Sequence, residues 1–210
     1  MFTTVAITVV IAISIVGVLR AHHAKEKAPE LVAKATGSAA FVFLGILRWS
    51  SGDVVGTWIL GGLALCALGD LLLIGDRTFD AGLIAFLLGH VLYICSFRAA
   101  MPMGGWSTLV LAPLAAVGLV VGWWLWPHLG KRRPSVSAYI IVITVMVWGA
   151  SSTSLASVLP WTAAAGALLF FLSDLGVARK RFVNDDPRNR YFSLPLYYAG
   201  QILLALTIGS

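Results

Sequence analysis

Two aspartates lie where acids are scarce. Asp70 sits in ALGDLLLIGD (67–76) and Asp174 in FFLSDLGVARK (170–180), each inside an otherwise apolar run. An ionised acid at a bilayer centre costs about 2.5–3.5 kcal/mol on insertion scales. Carboxyls kept there are candidates for proton transfer or for coupling to solute movement. The run after each acid also carries polar groups. After the first come His90 and Tyr93, three apart and so neighbours on one helix face. After the second come Tyr197, Tyr198 and Gln201, while Lys34, with Glu30 near it, stands early in another run. Gathered around one cavity, these groups would make a site for acid–base catalysis by two carboxyls, with the others binding substrate. The plainer alternative is that both acids sit near helix ends and reach interfacial water.

The elements that must position these groups follow from composition. Of 210 residues, 59% are hydrophobic and 11% charged, and the mean hydropathy is +0.90. A soluble domain carries about 25% charged residues, so this chain has too little polar surface for water and reads as a polytopic membrane protein. Eight apolar runs are long enough to span a bilayer, at 3–20, 30–48, 55–75, 79–99, 106–126, 135–151, 160–178 and 191–208. Their length and lack of alternation exclude barrel strands. The sixth is expected to close early at Ser151–Ser154. The fold class is therefore all-α, with about eight transmembrane helices in one domain, 1–210. The first run lacks a basic leader and a small-residue cleavage site, so it reads as a retained helix.

An offset of 104 residues lays Asp70 on Asp174, Gly62 on Gly166 and Tyr93 on Tyr197. That suggests an internal repeat, 1–104 on 105–210, as two parallel four-helix halves with the acids related by an axis along the membrane normal. Thirteen of the fifteen Lys and Arg fall in or beside the odd-numbered loops, and only Arg48 and Arg98 lie on the other side. The positive-inside rule then puts the odd loops in the cytoplasm and both termini outside, with the inverse topology as the alternative. The net charge of +6 is a topology signal and an attraction to anionic lipid, with no basic domain to bind nucleic acid. The chain reads as a multi-pass protein of a bacterial cytoplasmic membrane.

On this orientation Asp70 and Asp174 are about five and four residues from the cytoplasmic ends of their helices, submerged by about 6–8 Å. Cys66 and Cys95 read as packing residues, and His22 and His23 as loop residues rather than metal ligands. No HExxH, phosphate-binding glycine loop or GxSxG elbow is present, so no metal or cofactor is expected.

The residues also form a pattern. LGD at 68–70 is followed by Phe79, Gly82, Phe86, His90, Tyr93 and Phe97 in F-x2-G-x3-F-x3-H-x2-Y-x3-F, then by SD at 173–174 and P-x-Y-Y-x-x-Q at Pro195–Gln201. Across its length the chain resembles the lysoplasmalogenase-like (YhhN-like) membrane proteins. The resemblance implies hydrolysis of the vinyl ether of a lysoplasmalogen to a fatty aldehyde and a glycerophospho-ethanolamine or -choline. It also implies that Asp70 and Asp174 are the catalytic acids and Lys34 the second-helix lysine. Family members often have a proline soon after that lysine, where this chain has Ala35-Thr36-Gly37.

A vinyl ether yields to acid. Protonation of its β-carbon makes an oxocarbenium ion, water captures it, and the hemiacetal collapses. Two facing acids sharing one proton would supply both the acid and the stabilising carboxylate. A lysophospholipid would be the substrate and the bilayer the surroundings, with the phosphate near Lys34 or the Arg179–Arg181 cluster. A small-solute or proton-coupled transporter is the alternative, and a lipid-binding structural protein the third reading.

Overall fold

In lipid a backbone must satisfy its own hydrogen bonds, and long apolar runs do so as helices. The computed structural model describes residues 2–75 and 77–210, and these contain eight α-helices. They are α1 (Phe2–His23), α2 (Lys27–Arg48), α3 (Val54–Leu72), α4 (Phe79–Ala100), α5 (Thr108–Leu125), α6 (Arg133–Leu155), α7 (Trp161–Ala178) and α8 (Arg188–Leu206). Seven are long and apolar enough to cross a membrane. The exception is α8, which carries Arg188, Arg190, Tyr197, Tyr198 and Gln201 and is held by packing on α7, α2, α1 and α3. The chain is thus a multi-pass membrane protein.

Polarity is arranged inside out. Leu119 and Trp123 are 75% and 80% exposed on the outer face, whereas Lys34, Asp70, His90 and Gln201 are buried. Apolar burial does not drive helices together in lipid; close packing and hydrogen bonds do. Close packing is explicit at Gly166 and Gly200, where an added Cβ on either would stand 2.9 Å from the other's carbonyl oxygen. At Gly62 a Cβ would meet the Tyr93 ring, and at Gly89 it would meet the Gly62 carbonyl at 3.2 Å. The main neighbours of α2 are α1, α3 and α8, and those of α6 are α5, α7 and α4. The small-residue contacts lie 104 residues apart on α3 and α7, at Gly62 and Gly166, but 111 apart on α4 and α8, at Gly89 and Gly200. Aligned on these contacts, His90 corresponds to Gln201 and Phe86 to Tyr197. The sequence offset that pairs Tyr93 with Tyr197 is two helical turns away.

Several boundaries differ from expectation, three of them instructively. Helix α6 runs through Ser151–Ser154 to Leu155, because the hydroxyls there are partnered. Thr153 donates back to the Gly149 and Ala150 carbonyls at 2.9 Å, Ser152 accepts from the Ser107 N–H at 3.1 Å, and Ser154 donates to Pro160 O at 3.0 Å. Helix α3 stops at Leu72, three residues short of expectation. Helix α1 extends through His22 and His23, and His22 pairs with Glu30 and Arg190 instead of lying in a solvated loop.

Beyond Ala178, α7 continues as a π-helical turn over Arg179–Val183, which the Asn184 N–H closes onto Arg179 O at 2.8 Å. Asp174 therefore lies nine residues, about 13 Å, from the end of continuous helical backbone. There it meets His90, eleven residues into α4.

Candidate active site

Each acid has its own set of partners. Asp70, three residues before the α3 C-cap, is met by α2 and α8. Lys34 Nζ donates to its Oδ1 at 3.3 Å and to its backbone carbonyl at 3.2 Å. Ser38 Oγ and Tyr197 Oη donate to Oδ2 at 2.6 and 2.7 Å. Its side chain is 3% exposed. Donors on both oxygens suit a carboxylate that stays an acceptor.

Asp174 is arranged differently. Tyr139 Oη on α6 donates to Oδ2 at 2.7 Å, and His90 Nε2 lies 3.6 Å from the same oxygen. Oδ1 has no protein partner among the described residues, and it is not fully buried. With 17% of the side chain exposed, Oδ1 is the oxygen that meets the cavity. His90 Nδ1 is 2.6 Å from the Phe86 carbonyl, which can only accept, so Nδ1 carries its hydrogen. His90 thus turns Nε2 toward Asp174, and that atom is buried with no hydrogen bond. Phe170 and Tyr139 fix the ring, with centroids 4.5 and 5.3 Å away.

A cavity of about 380 Å³ joins the two sets. Lys34, Asp70, Asp174, Tyr139 and Tyr197 reach it, and its walls are otherwise mostly apolar, including Phe86, Val121, Leu125 and Ile143. At the end rich in basic residues it meets Asp80, Arg132 and Arg181. It also reaches Ile84, 57% exposed on the outer surface of α4. Helix α5 packs mainly on α6, with no broad contact to α4 among the described residues.

Four of the eight residues expected from sequence therefore line the cavity: Lys34, Asp70, Asp174 and Tyr197. His90 stands behind Asp174, and Tyr93, Tyr198 and Gln201 are buried away from the cavity. Tyr93 donates to Gln201 Oε1 at 2.7 Å, and Tyr198 donates to Lys34 O at 3.4 Å while filling the space above Gly37. Their polar ends are turned into helix–helix contacts, and none of the three lines the cavity. Glu30 is likewise drawn off by Arg190. Lys34 is paired with Asp70 where it lines the cavity. The two carboxylates share no hydrogen bond among the described residues, so they do not pass one proton directly between them. Tyr139 was missed, since a lone tyrosine near the start of an apolar helix reads as an interfacial anchor.

Fold and site together define a multi-pass membrane protein with two carboxyls on one internal cavity. The chain belongs to the YhhN family, whose model matches residues 30–208. Lysoplasmalogenase TMEM86A of Bos taurus is 34% identical over 159 residues, covering 72% of this chain and 65% of that protein. Lysoplasmalogenase TMEM86B of Sus scrofa is 33% identical over 151 residues, covering 71% and 62%. The human TMEM86B lysoplasmalogenase is 31% identical over 168 residues, covering 79% and 68%. The chain thus aligns with slightly less than two thirds of the first two relatives' length. No solved structure matches it.

Proposed function

We propose that this protein hydrolyses the vinyl ether bond of a lysoplasmalogen, with Asp174 as the proton donor. The observation that carries the reading is Asp174 Oδ1, open on the cavity while Oδ2 is held from behind. The names of the curated relatives point the same way. The transporter alternative gains nothing from the fold, since α3 and α7 are continuous helices without internal proline.

In this mechanism Asp174 Oδ1 gives its proton to the vinyl β-carbon, and a C–H bond replaces the C=C π bond. The positive charge spreads over the α-carbon and the ether oxygen. Asp70, whose oxygens accept from Lys34, Ser38 and Tyr197, stabilises it electrostatically. Water adds to the α-carbon and gives a proton back to Asp174, forming the hemiacetal. Collapse breaks the bond between the α-carbon and the ether oxygen, the hydroxyl proton leaves, and the departing oxygen takes one up. The sum is one vinyl ether plus one water to one aldehyde plus one alcohol. His90 and Tyr139 hold the carboxyl from behind through these transfers, and Asp174 ends the turnover protonated as it began. The orientation that fits is the basic end in the cytoplasm, with substrate sliding in from that leaflet.

Purified protein should release free aldehyde from a lysoplasmalogen and none from an alkyl-ether lysolipid, and Asp174→Asn should abolish release. No aldehyde from an active, folded preparation, or full activity in Asp174→Asn, rejects the proposal.

A further inference from the structure

At the cavity's basic end, opposite charges and an aromatic ring meet in a way that neither acid-centred cluster uses. Arg132 NH2 donates to both oxygens of Asp80, at 3.0 and 3.2 Å. The Arg181 guanidinium lies 4.2 Å from the centroid of the Phe79 ring. All four residues line the same cavity that reaches Asp174. Arg181 is seven residues beyond Asp174 on continuous helical backbone, about 10 Å along the axis, and both residues line the cavity. From the β-carbon of a vinyl ether to the phosphorus of a glycerophospholipid is seven bonds, about 8–9 Å extended. A lipid with its vinyl β-carbon at Asp174 therefore has its phosphate at Arg181.

We infer that Phe79, Asp80, Arg132 and Arg181 form a headgroup site that reads both charges of a zwitterionic lysophospholipid. Arg181 and Arg132 take the phosphate, and Asp80 with the Phe79 ring takes the ammonium. Guanidiniums match phosphate oxygens in a planar fork, and a carboxylate beside an aromatic face suits an alkylammonium. The Arg132–Asp80 pair is half-exposed and weakly held, so one ion pair opens and two form when the zwitterion enters. An anionic headgroup lacking the ammonium would satisfy the arginines but face Asp80 as a like charge. Lys34 takes no part, being held by Asp70. The site rests on the proposed lipid substrate but not on its cleavage.

The test uses the full chain in nanodiscs and lysolipids with a non-cleavable alkyl ether, bearing either phosphocholine or phosphoglycerol, with affinity measured by titration. Wild type should prefer phosphocholine. Asp80→Asn should weaken phosphocholine about tenfold and leave phosphoglycerol unchanged or tighter. Arg181→Gln should weaken both by at least about tenfold, and the unfolding temperature of each variant reports folding. Equal effects of Asp80→Asn on the two headgroups, or no effect on either, overturn the inference. If wild type discriminates headgroups yet releases no aldehyde from the vinyl ether, the hydrolase reading fails and the headgroup site stands.

Discussion

His90 stands directly behind Asp174: its Nε2 is 3.6 Å from Oδ2, while Oδ1 of the same carboxyl meets the cavity. The imidazole is fully buried and oriented by the Phe86 carbonyl at 2.6 Å, so under the proposed mechanism it acts through Asp174.

Replacing His90 by Gln should therefore lower kcat for aldehyde release by about 10²-fold, the scale of a misplaced catalytic group, and leave KM near wild type. The pH–rate profile should change shape as well. A raised KM with unchanged kcat would show that the ring binds substrate after all.

Tyr139→Phe deletes the only protein hydrogen bond to Asp174 among the described residues. The loss of one buried bond to an acid is worth about 1.5–3 kcal/mol, so kcat should fall by about 10- to 100-fold. Near-wild-type turnover would place the proton donor elsewhere.

Asp70 and Asp174 should differ in their effect on stability. Both Asn variants are expected to abolish aldehyde release. Asp70→Asn also strands Lys34, whose side chain is 9% exposed, and breaking a buried pair costs about 3–5 kcal/mol. Asp174→Asn strands no cation and should unfold near the wild-type temperature in detergent. Lys34→Met should likewise lower stability, and it should reduce kcat more than KM because Lys34 holds Asp70. The double variant Lys34→Met/Asp70→Leu should regain stability but not activity. Equal unfolding temperatures for all four variants would refute the structural role of the pair.

The approach of α7 to α8 holds Asp174 and Tyr197 in register. Gly166→Val would put a side chain 2.9 Å from the Gly200 carbonyl, and backbone cannot yield as a flexible side chain can. Overpacking of this kind costs about 1–3 kcal/mol. A lowered unfolding temperature together with lost activity is expected, and tolerance of valine would mean the helices separate freely.

Orientation is open to chemical labelling. With Cys66 and Cys95 replaced, an impermeant thiol reagent should label Thr3→Cys and spare Asn184→Cys in intact cells. The reverse pattern would invert the topology and move the substrate leaflet.

The sequence alone determined the helices, because hydropathy is a local property. Each span is written in its own 18–23 residues, and the eight runs emerge within a few residues of their observed limits. It also determined that Asp70 and Asp174 were the anomalous groups and that basic residues collect at one end. What it did not contain was which partner each acid finds, for that depends on how each helix is rotated and slid against the next. Lys34 is drawn to Asp70 across 36 residues, Tyr197 across 127, and Tyr139 to Asp174 across 35. These meetings are set by approaches such as Gly166 to Gly200, which shift α8 two turns from the simple repeat. Tyr93, Tyr198 and Gln201 carry the chemistry expected of a site, yet helix rotation turns them into the wall behind it. Only tertiary packing decided which carboxyl oxygen would face the cavity, since in lipid that choice belongs to close contacts between helices and not to the polarity of any one of them.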